Sequence, residues 1–549
     1  MTQQLAVYPL VGSELPAVPQ ARRTGPLDPR QPVNALLLCA LRLPDSELFA
    51  HVDAQAKRRP GERKRPSRSD FAATYGPTPE ALQAIAEFAA AHGLEASAPA
   101  HGNLCIDLRG PAGAFSRAFG VELALYEREG VTYRGYEGPL RLPEAIHPHV
   151  RAVLGLDTRP LPLTHAQHAA SAPADVPSLA RNLPTTVAFD YYDFPSGLTG
   201  AGLTVAFIES DLNIDLQGIQ DFYSSLQVGP VSITLMGTPR HSPQPPFNSE
   251  AGMDLKITGS IAPGATYLVF ANNQQYDSQP AGMLGSILTA VFNEQPSVDI
   301  LSISLGVPES GWTSQELQSI NLVFAAAAFL GITTCVASGD FGAAGNPQGA
   351  YAQNCAFPAS SPYCLACGGT ELVLSKQGQS TVLTGEVVWN DQTQPGQKAA
   401  TGGGISRVFP VPSYQQRVSL PAPLNPDQGP GRGVPDVASN GSPTSGYQLQ
   451  PNNQGGGHAF GTSAAAPMWA ALVALLGEAL GTPVGFLNAL LYETQLSGQA
   501  PLPCTSITQG NNGVPSSDIV FTASASNPWN ACCGLGSPLG NSLLRMLGG

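Results

Sequence analysis

The sequence predicts an α/β protein: a mainly parallel sheet flanked by helices, preceded by a smaller α+β unit. Three observations predict it. Between residues 203 and 340, apolar strand-like runs alternate with helical runs, the pattern of a parallel sheet covered on both faces. Residues 161–182, LPLTHAQHAASAPADVPSLARN, are rich in Ala, Pro and Ser with no apolar period, and so read as an exposed linker. The charge also changes across that linker. Residues 1–160 hold 18 of the 27 Lys and Arg and 17 of the 40 Asp and Glu, whereas 161–549 hold 9 basic and 23 acidic residues.

The division is therefore 1–160, a linker at 161–185 and a large unit at 186–549. In the first unit, VNALLLCALR (33–42) reads as a strand. PTPEALQAIAEFAAAHGL reads as a helix, with Thr78 as N-cap, Pro79 at the first position, Leu82, Ile85 and Ala89 on one face and Gly93 as the stop. NLCIDLR, GPAGAFSRAFG and VELALYE suggest strand, short helix, strand. The loop KRRPGERKRPSR (57–68) carries seven basic residues. No aromatics interleave with them, so a solvated loop, or a face held against the acidic remainder of the chain, is preferred to a nucleic-acid surface. In the large unit, 203–210, 265–271, 298–306 and 332–340 read as strands, and 282–295 and 313–331 as helices. Thr313 and Glu316 form a capping box.

Composition excludes several classes. Charged residues make up 12% and hydrophobic ones 42%, with 59 Gly and 51 Pro, so the chain is loop-rich but able to bury a large core. No uninterrupted apolar run reaches the roughly 18 residues of a membrane span. MTQQLAVYPLVGSELP lacks the basic and apolar regions of an ordinary signal peptide. Few groups in the acidic unit stay positive at low pH, so self-repulsion in acid is small. The nine cysteines are an odd number and do not read as a disulfide framework. Cys364 and Cys367 form C-x-x-C without a second pair at zinc spacing.

HAFGTSAAAP (458–467) carries the chemistry. Ser463 lies between a Gly-rich loop and an apolar helical run, where backbone N–H groups and the helix dipole favour a developing oxyanion. A serine N-cap is the plainer reading of the motif alone. The proton acceptor decides the matter. The acidic unit has only His165, His168, His241 and His458. None lies in an H-G-T helix start, and His458 is too near Ser463 in the chain to face it from a separate wall.

Carboxyls are better placed. NSEAGMDLKITGSIAPGA (248–265) reads as a helix start, capped by Asn248 or Ser249 and ended by Pro263. Glu250 and Asp254 lie one turn apart on one face. Two carboxyls in a partly buried site share a proton, and a glutamate can act as base in acid where a histidine is already protonated. An ordinary acidic first turn is the competing reading. Asp340 follows a strand in a Ser-Gly-Asp-x-Gly turn. A neutral aspartic acid there can donate a hydrogen bond to an oxyanion.

In order, E-x-x-x-D (Glu250, Asp254), S-G-D-x-G (Asp340) and G-T-S-x-x-x-P (Ser463) resemble the sedolisin/kumamolisin family of serine-carboxyl peptidases. TGAGLTVAFIES, SISLG, FPASSPYCLACGGT, GGGISRVFPVPSYQ, VPDVAS and NALLYE resemble its catalytic domain. LVGSELP, YGPTPEALQAIAEFAAAHGL, AGAFSRAFGVELALYEREGVTYRGYEG and LPEAIHPHVRAVLGLD resemble its activation propeptide.

The resemblance implies a subtilisin-like catalytic domain after a ferredoxin-like α+β propeptide. It implies Ser463 as nucleophile, Glu250 as general base, Asp254 as its partner and Asp340 as oxyanion donor. It implies an acid-active endopeptidase zymogen that cuts itself within the linker. Partners are then protein and peptide substrates and the chain's own propeptide as intramolecular inhibitor, with no nucleic acid and no membrane, in a secreted monomer. The family's calcium site uses aspartates in D-I-T-x-G and G-W-D turns. Here Ser506 and Asn530 stand in those places, leaving Ile507 and Asn530 as the residual oxygen donors, so calcium is expected to be absent or weak and no cofactor is required. Asp518 has no positional reason to compensate. Two rivals stand beside this reading: a neutral serine hydrolase using His458, and a degenerate member that only binds.

Overall fold

The computed structural model describes residues 6–16, 18, 20–161, 182–210, 212–237, 250–271, 275–345, 354–378, 380–391, 399–450, 458–513 and 519–549. His165, His168, His241, Asn248, Ser249, Asp518 and the His458 side chain lie outside the described residues.

The N-terminal unit is an antiparallel sheet in the order Glu95–Ala96, Cys105–Pro111, Pro32–Cys39, Val150–Leu154. Pro79–Ala91 forms the expected helix. The Thr78 hydroxyl accepts from the Ala81 N–H at 3.2 Å, and Ile85, Phe88 and Ala89 are buried. Ala112–Phe119 is the short helix, ended by Gly120 in the left-handed region. The helix Asp45–Ala56 was not anticipated: its apolar contacts, Leu48, Val52 and Ala56, are sparse in sequence but face a ready-made partner.

That partner is the C-terminal unit. Leu36, Leu48, Val52 and Phe71 share one buried cluster with Leu284, Phe324 and Phe329. The basic loop is a docked face. Arg63 donates to Val484 O at 2.8 Å, Arg68 to Val291 O at 2.9 Å, and Arg65 pairs with Asp299 at 3.3 Å.

The C-terminal sheet has eight strands. Its spatial order is Ser232–Met236, Thr266–Ala271, Thr204–Glu209, Ile300–Ile303, Thr333–Ala337, Leu365–Gln377 and Ser380–Val388, with Val437–Asn440 also pairing Leu365–Gln377. Ser380–Val388 alone pairs antiparallel. The helices Gln279–Val291 and Ser314–Phe329 cover one face. Thr313 and Glu316 cap the latter reciprocally, at 3.2 and 2.7 Å. Glu250–Ile261 and Thr462–Leu480 pack together on the other face. Thr462–Leu480 is long and apolar enough to cross a membrane by composition, but it is a core helix, buried from Thr462 to Gly477. All nine cysteines are buried free thiols. Cys532 and Cys533 lie in the core and point to the carbonyls of Phe521 and Gly369.

Candidate active site

Ser463 is the second residue of the helix Thr462–Leu480, at the carboxyl ends of the central strands. Its own N–H has no acceptor within the helix. Pro467 stands four residues on, so the N–H that would bond the Ser463 carbonyl is missing. That carbonyl instead faces Ser304 Oγ at 3.3 Å. The proline of G-T-S-x-x-x-P thus frees a main-chain acceptor at the nucleophile.

Ser304 lies just past the strand Ile300–Ile303 and touches both candidate partners. Its hydroxyl donates to Asp254 Oδ2 at 2.9 Å, and its carbonyl accepts from Ser463 Oγ at 3.3 Å. Sequence reasoning gave Ser304 no role. Its position in SISLG was visible, but its function depends on two helices far away in the chain.

Asp254 is fully buried, and burial drives its carboxyl well above the usual range, opposed only by the Ser304 hydrogen bond. Its Oδ1 has no hydrogen-bond partner among the described residues. Glu250 lies one turn earlier, in the first turn of Glu250–Ile261, and is 7% exposed. The two carboxyls therefore share one buried helix face, and Asp254 reaches Ser463 through Ser304.

Asp340 follows the strand Thr333–Ala337 and is also fully buried. Its Oδ1 accepts from Thr462 N–H and from Thr462 Oγ1, both at 2.8 Å. Its Oδ2 has no hydrogen-bond partner among the described residues. Burial pushes the carboxyl up to about 7, against the two Thr462 bonds. Gly461 is required here twice over: its φ is +99°, and a Cβ would come within 2.5 Å of Asp340 Oδ2. Ser463, Asp254 and Asp340 are thereby brought to one place, with Ser304 and Thr462 as links.

The residues at the family's calcium positions are engaged in hydrogen bonds of their own. Asn530 Oδ1 accepts from the N–H groups of Cys532 and Cys533 at 3.1 and 2.9 Å, which decides the amide orientation. Its Nδ2 then donates to Ile507 O at 3.0 Å. A cation at that carbonyl would meet an N–H donor rather than a carboxylate. Ser506 Oγ accepts from Gln495 at 3.3 Å. Among the described residues no three His, Cys, Asp or Glu side chains cluster for a metal.

A helical serine at the carboxyl edge of a parallel sheet, facing residues from the turns after neighbouring strands, is the architecture of a subtilisin-like serine peptidase. Residues 19–159 match the Pro-kumamolisin activation domain, and 247–493 match the subtilase family. The chain is 37% identical to kumamolisin of Bacillus sp. (strain MN-32), over 98% of this chain and 96% of that protein. It is 29% identical to sedolisin of Pseudomonas sp. (strain 101), over 91% and 85%. The solved structure of Pseudomonas sedolisin with two molecules of pseudo-iodotyrostatin covers 67% of this chain and 98% of its own, with a TM-score of 0.56 at 27% identity. The chain belongs to the sedolisin/kumamolisin family and is a serine-carboxyl peptidase with an activation domain.

Proposed function

We propose that this protein is an acid-active endopeptidase made as a zymogen, with Ser463 as nucleophile, Glu250 as base, Asp254 as its partner and Asp340 as oxyanion donor. The observation that carries the reading is Ser304, whose main-chain carbonyl accepts from Ser463 Oγ and whose hydroxyl bonds Asp254, beside the fully buried Asp340 carboxyl that burial pushes up to about 7. In the resting state Ser463 Oγ points at a carbonyl. Attack on a peptide carbonyl needs that hydroxyl to turn and pass its proton to Glu250. Asp254, held by Ser304, takes up the charge change by proton sharing with Glu250. The tetrahedral oxygen receives a hydrogen bond from the Asp340 Oδ2–H and from the Ser463 N–H. Glu250 then returns the proton to the leaving amine, and water repeats the cycle on the acyl-enzyme.

The N-terminal unit serves as intramolecular inhibitor, and the protein acts outside the cell, by likeness to its family. The steps above need no calcium, and the Asn530–Ile507 hydrogen bond supports a reading without it.

The test is acid activation. Full chain is held at about pH 3–4, where carboxyls titrate, and followed by mass spectrometry and casein digestion. Wild type is expected to lose its N-terminal unit and digest casein, while Ser463→Ala and Glu250→Gln stay intact. Cleavage by Glu250→Gln would sink the carboxylate mechanism and favour His458.

A further inference from the structure

We propose that Thr462 is a positioning residue that fixes which oxygen of Asp340 carries its proton. The inference rests on the oxyanion role given to Asp340 above.

The donors and acceptors around Asp340 leave one arrangement. Thr462 Oγ1 accepts the Gly339 N–H at 3.0 Å, so its own proton is the one directed at Asp340 Oδ1, 2.8 Å away. Oδ1 also accepts the Thr462 N–H at 2.8 Å. An oxygen already receiving two protons is the carbonyl oxygen of a neutral acid. Were Oδ1 protonated, the Thr462 hydroxyl proton would lose its acceptor. The acid proton therefore sits on Oδ2, the atom with no partner, beside Gly461 and two residues from Ser463. A carboxyl free to turn would spend part of its time presenting a bare acceptor to the oxyanion, which repels it. Thr462 removes that possibility, and it tethers the donor directly to the nucleophile's neighbour.

Among the described residues, burial raises the Asp340 carboxyl and the two Thr462 hydrogen bonds oppose it. Three elements pack against it. The turn after Thr333–Ala337 supplies Gly339 N–H, and the nucleophile helix supplies Thr462. The segment Ala399–Gly402 supplies the Ala400 N–H, bonded to Asp340 O at 2.9 Å. The titratable group beside that segment is Asp391, whose N–H bonds Ala399 O while its carboxyl accepts from Trp389 Nε1 at 2.5 Å.

The experiment measures kcat and KM against pH for activated wild type, Thr462→Val, Thr462→Ser and Asp340→Ala. Valine keeps the size and the N–H but loses the hydroxyl. It is expected to lower kcat by about tenfold or more with KM within about twofold. Its alkaline limb should move to higher pH, because the hydroxyl stabilises ionised Asp340. Serine should restore both. A valine variant with the wild-type limb and kcat, or a serine variant as poor as valine, overturns the proposal. If valine fails to fold, Thr462→Cys, a weaker donor of similar size, takes its place with the same two criteria. Asp340→Ala separates the premises. If it keeps wild-type kcat and limb, the oxyanion role itself is wrong. If it is inactive while valine behaves as wild type, only the Thr462 inference falls.

Discussion

Ser304 donates its hydroxyl to Asp254 Oδ2 at 2.9 Å while its carbonyl holds Ser463 Oγ at 3.3 Å. One residue thus grips both ends of the proton path, from a position just past a central strand. Ser304→Ala deletes the hydroxyl and keeps the carbonyl. It removes the hydroxyl whose single proton is shared between Asp254 Oδ2 and the Ser463 carbonyl, which costs about 1–3 kcal/mol of stability. It also removes the hydrogen bond that, among the described residues, holds the Asp254 carboxyl down. The expected result is kcat lower by about ten- to a hundredfold with KM little changed. Steady-state kinetics with urea denaturation check it. A variant with wild-type kcat and a lowered midpoint would reduce Ser304 to a structural role.

Much of this site is legible in the sequence because it depends on local rules. The Thr78 and Thr313 caps follow from side-chain chemistry within three residues, and both form. The spacing of Glu250 and Asp254 is helical geometry. Ser304, Thr462 and the helix Asp45–Ala56 are a different case. Each gains meaning only from a partner distant in sequence: Asp254 for Ser304, Asp340 for Thr462, and the face of Ser314–Phe329 for the helix. Propensity and period carry no information on such pairings. One long-range clue was present: Pro467, four residues after Ser463, announces a carbonyl without its helical partner.

The buried carboxyls set the pH dependence of stability. Burial raises Asp340 and Glu316 to about 7 and Asp391 to about 6, all above their unfolded values. The folded chain therefore holds protons that the unfolded chain releases. This stabilisation is complete below the unfolded values near pH 4 and is lost as pH rises through 6–7. Thermal unfolding of Ser463→Ala, which cannot cut itself, should give a lower Tm at pH 7.5 than at pH 4.5. Adding Asp340→Asn should flatten the curve by the share of one group, on the order of a few kcal/mol. A curve that rises with pH, or one indifferent to Asp340→Asn, contradicts this account.

Calcium should not stabilise this protein. Asn530 places an amide N–H on the Ile507 carbonyl, so the position is satisfied by a neutral hydrogen bond. Tm is expected to agree within a degree or so between chelator and millimolar calcium. The double variant Ser506→Asp, Asn530→Asp replaces that donor with carboxylates and should make Tm rise with calcium. Calcium stabilisation of the unaltered chain by several degrees would show that other oxygens bind it.

The contact that His51 makes across the docked N-terminal unit is expected to be acid-sensitive. His51 sits on the helix Asp45–Ala56 with its ring 4.8 Å from Phe329 of the C-terminal unit, and its buried Nε2 has no partner among the described residues. Burial first, and Lys64 second, lower its proton affinity below the ordinary histidine value. A group whose affinity is lowered on docking favours the docked state while it is neutral. That contribution is present above the free histidine value near 6.5 and is lost as pH falls through the lowered one. Protonation in acid is expected to place a charge against Phe329 and beside Lys64 and so to weaken the contact. His51→Phe keeps the ring contact and cannot be protonated. It should slow loss of the N-terminal unit at about pH 4–5, by a few-fold in rate, with unchanged activity once the mature enzyme is formed. His51→Lys, charged at every pH, should speed processing and move it toward neutral pH. Equal processing rates for wild type and both variants would remove His51 from the trigger and leave the change to carboxyls such as Asp299, which pairs with Arg65 across the same interface.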